Sequence, residues 1–226
     1  AYPGAGNDID VSKFTITGRA RTPSEIGSDT YTLTSDDVEL TSATSFSITL
    51  NAADQLQIAG LLNKNGTNAS TGTAYNIAAA DDWAPGADQS TDIADLTGNA
   101  ITVSNVSSPT LTSANYDAST GVLSVSASNL PAYPGAGNDI DVSKFTITGN
   151  DSNTYTLTSD DVELTSATSF SVTLNAADQL QIAGLLNKNG TSSSQGTTYN
   201  IAAAEDWAPG ADQSTDIADL TGNAIT

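Results

Sequence analysis

The residues of this chain that could most readily take part in chemistry are its carboxylates. Asp and Glu number 26 against 6 Lys and Arg, which gives 226 residues a formal net charge of −20 at pH 7. His, Cys and Met are all absent. Their absence excludes a Ser-His-Asp triad, a cysteine nucleophile, disulfides and any zinc or copper site built on nitrogen or sulfur ligands. Any chemistry must therefore come from carboxylates, hydroxyls or lysines.

The negative charge also limits the partners that can be expected. Phosphate backbones and anionic membranes bind cationic surfaces, so we expect no nucleic acid partner and no membrane partner. No run of about 20 apolar residues is present to cross a bilayer, so membrane insertion is not expected either. Converging carboxylates would suit Ca²⁺, which takes about 6–8 oxygen ligands. The alternative is that the acids form a solvated surface that keeps the chain soluble.

The chain contains a long internal repeat. Residues 1–18 recur unchanged at 132–149, and residues 30–102 recur at 154–226 with six differences. A repeat of roughly 120–130 residues has the size of a self-contained domain rather than of a solenoid unit. Near-identical neighbouring domains are typical of structural arrays, and we do not expect an enzyme.

Residues 103–131 occur only once and contain two strand-like runs. We therefore predict that residues 103–226 form a complete repeat and that residues 1–102 form a repeat lacking its first two strands. The missing strands are either lost with the fragment boundary or supplied by a neighbouring molecule. Residues 19–29 replace the shorter segment 150–153, and we place both in a hairpin loop.

The pattern within each repeat predicts an all-β fold with one helix. Thr, Val, Ile and aromatic residues alternate with polar ones between turn residues, which favours half-buried antiparallel strands in a β-sandwich. We expect about eight strands per repeat, one of them at residues 162–165. Residues 175–190 differ, because Asn175 suits an N-cap and Gly190 a helix end. We expect a short crossover helix there, with Leu180, Ala183 and Leu185 or Leu186 packed on the sheet.

Counting strand directions places three acidic loops at one pole of the sandwich, where its first strand begins. They are the loops 137–141, 159–161 and 205–223. A D-x-D pair projects two carboxylates to the same side of an extended chain, so these loops could form a Ca²⁺ site. No EF-hand motif is present. Asp and Asn also form ordinary Asx-turns, and this alternative stays open.

The sequence resembles the bacterial immunoglobulin-like repeats of large secreted surface proteins and adhesins. The resemblance rests on five segments: Pro109–Thr112, Tyr116–Leu123, Asp141–Gly149, Thr165–Leu174 and Ala218–Thr226. It implies tandem Ig-like β-sandwiches, an extracellular or bacterial cell-surface location, a spacer or adhesive role and calcium at domain junctions.

The resemblance and the acidic loops together suggest Ca²⁺ ligands in both copies. The leading candidates are Asp8, Asp10, Asp82, Asp95, Asp139, Asp141, Asp206 and Asp219. The weaker candidates are Asp36, Asp37, Asp88, Asp92, Asp160, Asp161, Asp212 and Asp216.

These observations favour an extender module of a bacterial adhesin or biofilm protein, with neighbouring repeats as its partners and Ca²⁺ stiffening the junctions. The first alternative is a self-assembling extracellular filament or surface-layer subunit, a homopolymer completed by strand addition. A third is a carbohydrate-binding module in which Trp83 and Trp207 stack on a glycan. Each Trp could equally be a core residue that covers a loop.

Overall fold

The computed structural model describes residues 3–19 and 29–226. The chain divides into two compact units, Ala1–Val106 and Ser107–Thr226. The division falls slightly after the predicted boundary at residue 102, because Val103 pairs with Gly66 and so stays with the first unit. Residues 20–28, the larger part of the predicted hairpin loop, lie outside the described residues.

The described residues are mostly β, with two sheets and two α-helices. The first unit contains β1 (Phe14–Thr17), β2 (Thr30–Thr32), α1 (Ala52–Leu61) and β3 (Asn76–Ala79). The second contains β4 (Thr110–Asp117), β5 (Val122–Ser128), β6 (Phe145–Thr148), β7 (Thr154–Thr156), β8 (Ser169–Thr173), α2 (Ala176–Leu185), β9 (Asn200–Ala203) and β10 (Ala224–Ile225). Short 3-10 turns cover Val11–Lys13, Val142–Lys144 and Asn150–Ser152.

The second unit is sandwich-like because its sheet folds back on itself. Its seven strands run in the order β7-β6-β9-β10-β4-β5-β8. Strands β6 and β8 stand five places apart, which in a flat sheet would separate them by about 24 Å. Yet the ring centroids of Phe145 on β6 and Phe170 on β8 lie 5.8 Å apart. The two ends of the sheet therefore face each other across a shared core.

Two features of this sheet differ from the sequence prediction. Strands β10 and β4 pair in parallel, whereas all other pairs are antiparallel. The predicted strand at 162–165 is reduced to a single bridge between Ile140 and Val162. The strand does not continue because the Leu164 backbone N–H donates to the carboxylate of Asp139 instead of to a neighbouring strand.

The first unit contains a smaller sheet in the order β2-β1-β3. Its buried core includes Ile9, Val11, Phe14 and Leu33. Residues 45–49 differ from β8 only by Ile48 in place of Val172, but they form no strand. In the second unit β8 pairs with β5, and no described residue supplies that partner in the first. The same local sequence is thus a strand only where a second strand stands beside it.

The helices begin where the sequence predicts, but α2 presents a different face. The Asn175 side chain accepts a hydrogen bond from the Asp178 backbone N–H at 2.9 Å, as an N-cap does. Asp178, Ile182 and Leu185 are buried, whereas Leu180 is 74% exposed and Ala183 is also exposed. The prediction for Leu180 and Ala183 is therefore wrong, although Leu56, the counterpart of Leu180, is buried in α1. Neither described helix is long and apolar enough to span a membrane.

Gly210 fits closely under the segment that follows β5, so we predict that Gly210→Ala destabilises the second unit. An added Cβ would lie 2.5 Å from the Ala132 carbonyl oxygen and 2.7 Å from that of Pro131. Overpacking of this kind costs about 1–3 kcal/mol. Urea unfolding of the full chain carrying Trp83→Phe, which leaves Trp207 as the single tryptophan, measures this loss.

The matched control is Gly184→Ala within α2, where an added Cβ meets nothing within 4 Å. This change should stabilise the unit by about 0.4–1 kcal/mol, since alanine restricts the unfolded chain. Equal effects of the two substitutions would contradict the packing described for Gly210.

Candidate functional site

The acidic loops of the second unit meet at one pole, as the strand count predicts. Ile140, in the loop before β6, pairs with Val162, in the loop after β7. The Val142 backbone N–H donates to the Asp161 carboxylate at 2.9 Å and so ties the same two loops together. The first acidic loop is thus held directly against the second.

The long loop between β9 and β10 completes this pole. The Asp141 backbone N–H donates to the Trp207 carbonyl at 3.0 Å. Asp219 Oδ2 accepts the Leu111 backbone N–H at 2.9 Å, next to the first residue of β4. The predicted meeting of the three loops where the first strand begins is therefore confirmed. We call this region, formed by residues 137–142, 159–164 and 205–223, the acidic pole.

Six of the sixteen candidate carboxylates bind the backbone of their own turn. In four cases the acid accepts hydrogen bonds from the backbone N–H and the hydroxyl of a serine two residues later. These pairs are Asp10–Ser12, Asp88–Ser90, Asp141–Ser143 and Asp212–Ser214, at distances of 2.5–3.0 Å. Asp92 and Asp216 each accept the backbone N–H two residues later at 2.9 Å, without a serine hydroxyl. These are Asx-turns, in which the acid shapes the loop.

Other candidates hold one segment against another. Asp37 accepts the Val11 backbone N–H at 2.9 Å, which repeats the bond between Asp161 and Val142. Asp8 accepts the Leu40 N–H at 2.8 Å. Asp95 accepts the Asn99 side-chain amide at 3.0 Å, as Asp219 accepts that of Asn223 at 2.8 Å. Each of these carboxylates thus has a structural hydrogen bond in its own unit.

The remaining candidates are Asp36, Asp82, Asp160 and Asp206. Asp82 and Asp206 have left-handed backbone conformations, with φ of 63° and 62°, at the turn before each Trp. Asp36 and Asp160 are exposed. Over residues 3–19 and 29–226, no group of three or more acidic side chains is placed to hold a metal ion. Calcium binding by these residues stays a prediction.

Two carboxylates do meet within the acidic pole. The hydrogen bond with Asp216 raises the pKa of Glu205, and burial raises it further. Glu205 also accepts the Ile217 backbone N–H at 3.0 Å. In the first unit Asp81 occupies the place of Glu205 and accepts the Ile93 N–H at 2.9 Å. Glu205 and Asp216 are thus adjacent carboxylates, which repel each other when both are ionised.

Asp139 is the buried acid of the pole. Its two carboxylate oxygens accept the backbone N–H groups of Tyr133 and Leu164, the latter at 2.6 Å. Burial raises the pKa of Asp139 to about 6, with a smaller contribution from the negative charge of Glu163, while the backbone hydrogen bonds lower it. Removal from water disfavours the charged form of a carboxyl group, so its protonation state changes near neutral pH.

Another buried carboxylate lies at the start of each helix, Asp54 in α1 and Asp178 in α2. Asp178 accepts hydrogen bonds from the hydroxyls of Ser159, Thr158 and Tyr155 at 2.5, 2.7 and 3.0 Å. It also accepts the Thr158 and Ser159 backbone N–H groups at 2.9 Å. Burial would raise the pKa of Asp178, but these hydrogen bonds outweigh it and lower the pKa below its usual value. Asp54 makes the same contacts in the first unit.

The two tryptophans differ in exposure although their surrounding sequences are nearly identical. Trp207 is fully buried, and its Nε1 donates to the Ile217 carbonyl at 2.9 Å. Its ring packs edge-on against Phe145 at 5.6 Å, so no face is open for a glycan. Trp83 makes the equivalent hydrogen bond to Ile93 but is only partly buried. The structure therefore gives Trp207 the role of a core residue that covers a loop.

No family model, curated protein or solved structure matches this chain.

The two buried acids of the second unit should titrate in separate pH ranges. The pKa of Asp139 should lie near 6, and the pKa of Asp178 should lie below the ordinary aspartate value. Because the folded-state pKa of Asp139 is raised, the folded unit binds its proton more tightly than the unfolded chain does. Its contribution to stability should therefore fall as the pH rises from about 4 to about 6. Asp178 behaves oppositely, since its stabilisation is lost only as the pH falls through its lowered pKa.

Carboxyl ¹³C NMR titration measures both midpoints directly. In a Trp83→Phe background, where Trp207 is the single tryptophan, unfolding of Asp139→Asn should show a weaker loss of stability between about pH 4 and pH 6 than unfolding of the chain that keeps Asp139. A midpoint for Asp139 at or below the ordinary aspartate value would contradict the assigned burial effect.

Proposed function

We propose that this chain is a structural spacer, made of tandem Ig-like β-sandwich repeats in an extracellular bacterial surface protein of the adhesin or biofilm type. The observation that carries the proposal is the duplicated structural use of the acids. Asp10 and Asp141, Asp37 and Asp161, and Asp54 and Asp178 make matching hydrogen bonds in the two units. A repeated fold whose acidic side chains hold its own loops in place suits a module that sets the length and shape of an array of repeats.

The chain order supports an array of such modules. The acidic pole of the second unit lies where β4 begins, and β4 is the first strand after the link between the units. A cation bound there would act next to the link, where it could restrict movement between consecutive repeats. The resemblance to bacterial Ig-like repeats favours the same arrangement and an extracellular location.

We further propose that Ca²⁺ binds at the acidic pole. The adjacent Glu205 and Asp216 carboxylates support this, since a divalent cation relieves the repulsion between them and accepts hard oxygen ligands. The remaining ligands would come from neighbouring loop oxygens and water. The net charge of −20 increases the gain from any bound cation.

Thermal unfolding of the full chain with Ca²⁺ and with EDTA tests the calcium proposal. A ligand that binds only the folded state raises the unfolding midpoint. At a hundredfold excess over Kd it adds about 2.7 kcal/mol to the free energy of unfolding. We expect Ca²⁺ to raise the midpoint that Trp207 reports in a Trp83→Phe background and to reduce the flexibility of the chain in small-angle scattering.

Asp216→Asn should abolish most of the Ca²⁺-dependent rise. Asp117→Asn is the matched control, since Asp117 forms a similar Asx-turn with Ser119 at the far end of β4 from the acidic pole. The control should keep the full response. Identical midpoints and scattering in Ca²⁺ and EDTA would rule out calcium at this pole.

A further inference from the structure

The two units place the same apolar residues in different surroundings. Phe46 is 38% exposed, whereas its counterpart Phe170 is 7% exposed. The same trend holds for four further pairs, each partly buried in the first unit and buried in the second: Leu50 and Leu174, Ile77 and Ile201, Trp83 and Trp207, Ile101 and Ile225. Since these sequences match, the difference comes from what covers them.

In the second unit the cover is the β4–β5 hairpin. Strand β5 pairs with β8 and places Leu123 opposite Val172 and Val125 opposite Phe170. Strand β4 pairs in parallel with β10 and places Ala114 opposite Ile225. Leu123, Val125 and Ala127 alternate on the buried face of β5. The hairpin thus covers the core and provides the backbone hydrogen-bond partners of β8 and β10.

The corresponding side of the first unit has no such cover among the described residues. Residues 45–49 and 100–101, the counterparts of β8 and β10, form no strand there. The partly exposed rings of Phe46 and Trp83 stack at a centroid distance of 6.3 Å beside this side. It therefore combines apolar side chains with segments that form strands when given a partner, which is the surface that strand addition uses.

We propose that this open side of the first unit binds one β-hairpin of the kind formed by residues 107–131, contributed by a neighbouring repeat of the same type. The register follows from the second unit, with Leu123 of the incoming hairpin opposite Ile48, Val125 opposite Phe46, and Ala114 beside Ile101 in parallel. The inference is independent of the calcium proposal and of the spacer role.

The charge and number of hairpins support this occupant. Asp117 is the only charged residue between 107 and 131, so the segment can approach a strongly acidic chain without strong repulsion. Residues 107–131 occur once in the chain, beside two repeats that could use them. A second copy of this chain that donated its hairpin would open its own second unit, so exchange between identical copies leaves the number of open sides unchanged.

The direct test is a fused chain in which an added copy of residues 107–131 precedes residue 1. Residues 1–18 equal residues 132–149, so the fusion reproduces the natural continuation from Pro131 into Ala132. Trp207→Phe leaves Trp83 as the single tryptophan. We expect the Trp83 emission to shift to the blue, its quenching by acrylamide to fall several-fold and the first unit to unfold at a higher temperature.

Matched variants of the added hairpin separate specific docking from mere attachment. Val125→Asp in the added copy places a charge on the buried face and should abolish these changes. Ser126→Asp lies on the exposed face of the same strand and should preserve them. The synthetic peptide 107–131, added to the unfused chain, should give the same shift with one peptide bound per chain by native mass spectrometry.

Three results would overturn the proposal. The first is unchanged Trp83 emission both in the fused chain and with the peptide. The second is equal effects of the Val125→Asp and Ser126→Asp variants. The third is concentration-dependent oligomerisation of the unmodified chain that covers Trp83 without any peptide, which would show that a second copy is the occupant and favour the filament alternative.

Discussion

Closure of an apolar strand face by a second layer is the constraint on which this structure depends. A strand of alternating residues buries one face only if another layer covers it, and each Å² removed from water contributes about 25 cal/mol. In the second unit β5 supplies that cover for Phe170 and its neighbours. In the first unit the counterpart of Phe170 stays partly exposed and the counterpart of β8 does not form. Secondary structure in this repeat is thus partly a consequence of its tertiary cover.

A second set of interactions is independent of that cover. Asp54 and Asp178 fix the start of each helix to the end of β2 or β7 through the same hydroxyl and backbone donors. These contacts involve only the helix and one hairpin, so they form in the first unit as well as in the second. A buried carboxylate is tolerated because its hydrogen bonds replace those lost from water. Each repeat therefore combines a locally fixed part with a part that requires the hairpin.

The sequence predicts most of this architecture because the repeat, the two-residue alternation and the N-cap at Asn175 are local signals. It does not predict which leucines of the helices are buried, because Leu180 lies in solvent whereas Leu56 is buried in a helix of identical sequence, so the surroundings decide. It also misses the loss of the strand at 162–165, where Asp139 competes for the Leu164 N–H. The meeting of the acidic loops follows from counting strand directions, but turn formation and metal binding use the same residue types. Sequence patterns alone cannot separate those two roles.

Residue-resolved amide hydrogen exchange by NMR on the full chain shows whether the β4–β5 hairpin decides the order of otherwise identical segments. The Leu174 N–H donates to the Gly121 carbonyl at 2.9 Å beside β5, whereas the described residues offer Leu50 no such strand. The account predicts much slower exchange at Leu174 than at Leu50. Thr34 and Thr158, whose amides donate to Asp54 and Asp178, serve as the internal reference and should differ far less. Equal protection of Leu50 and Leu174 would contradict the account.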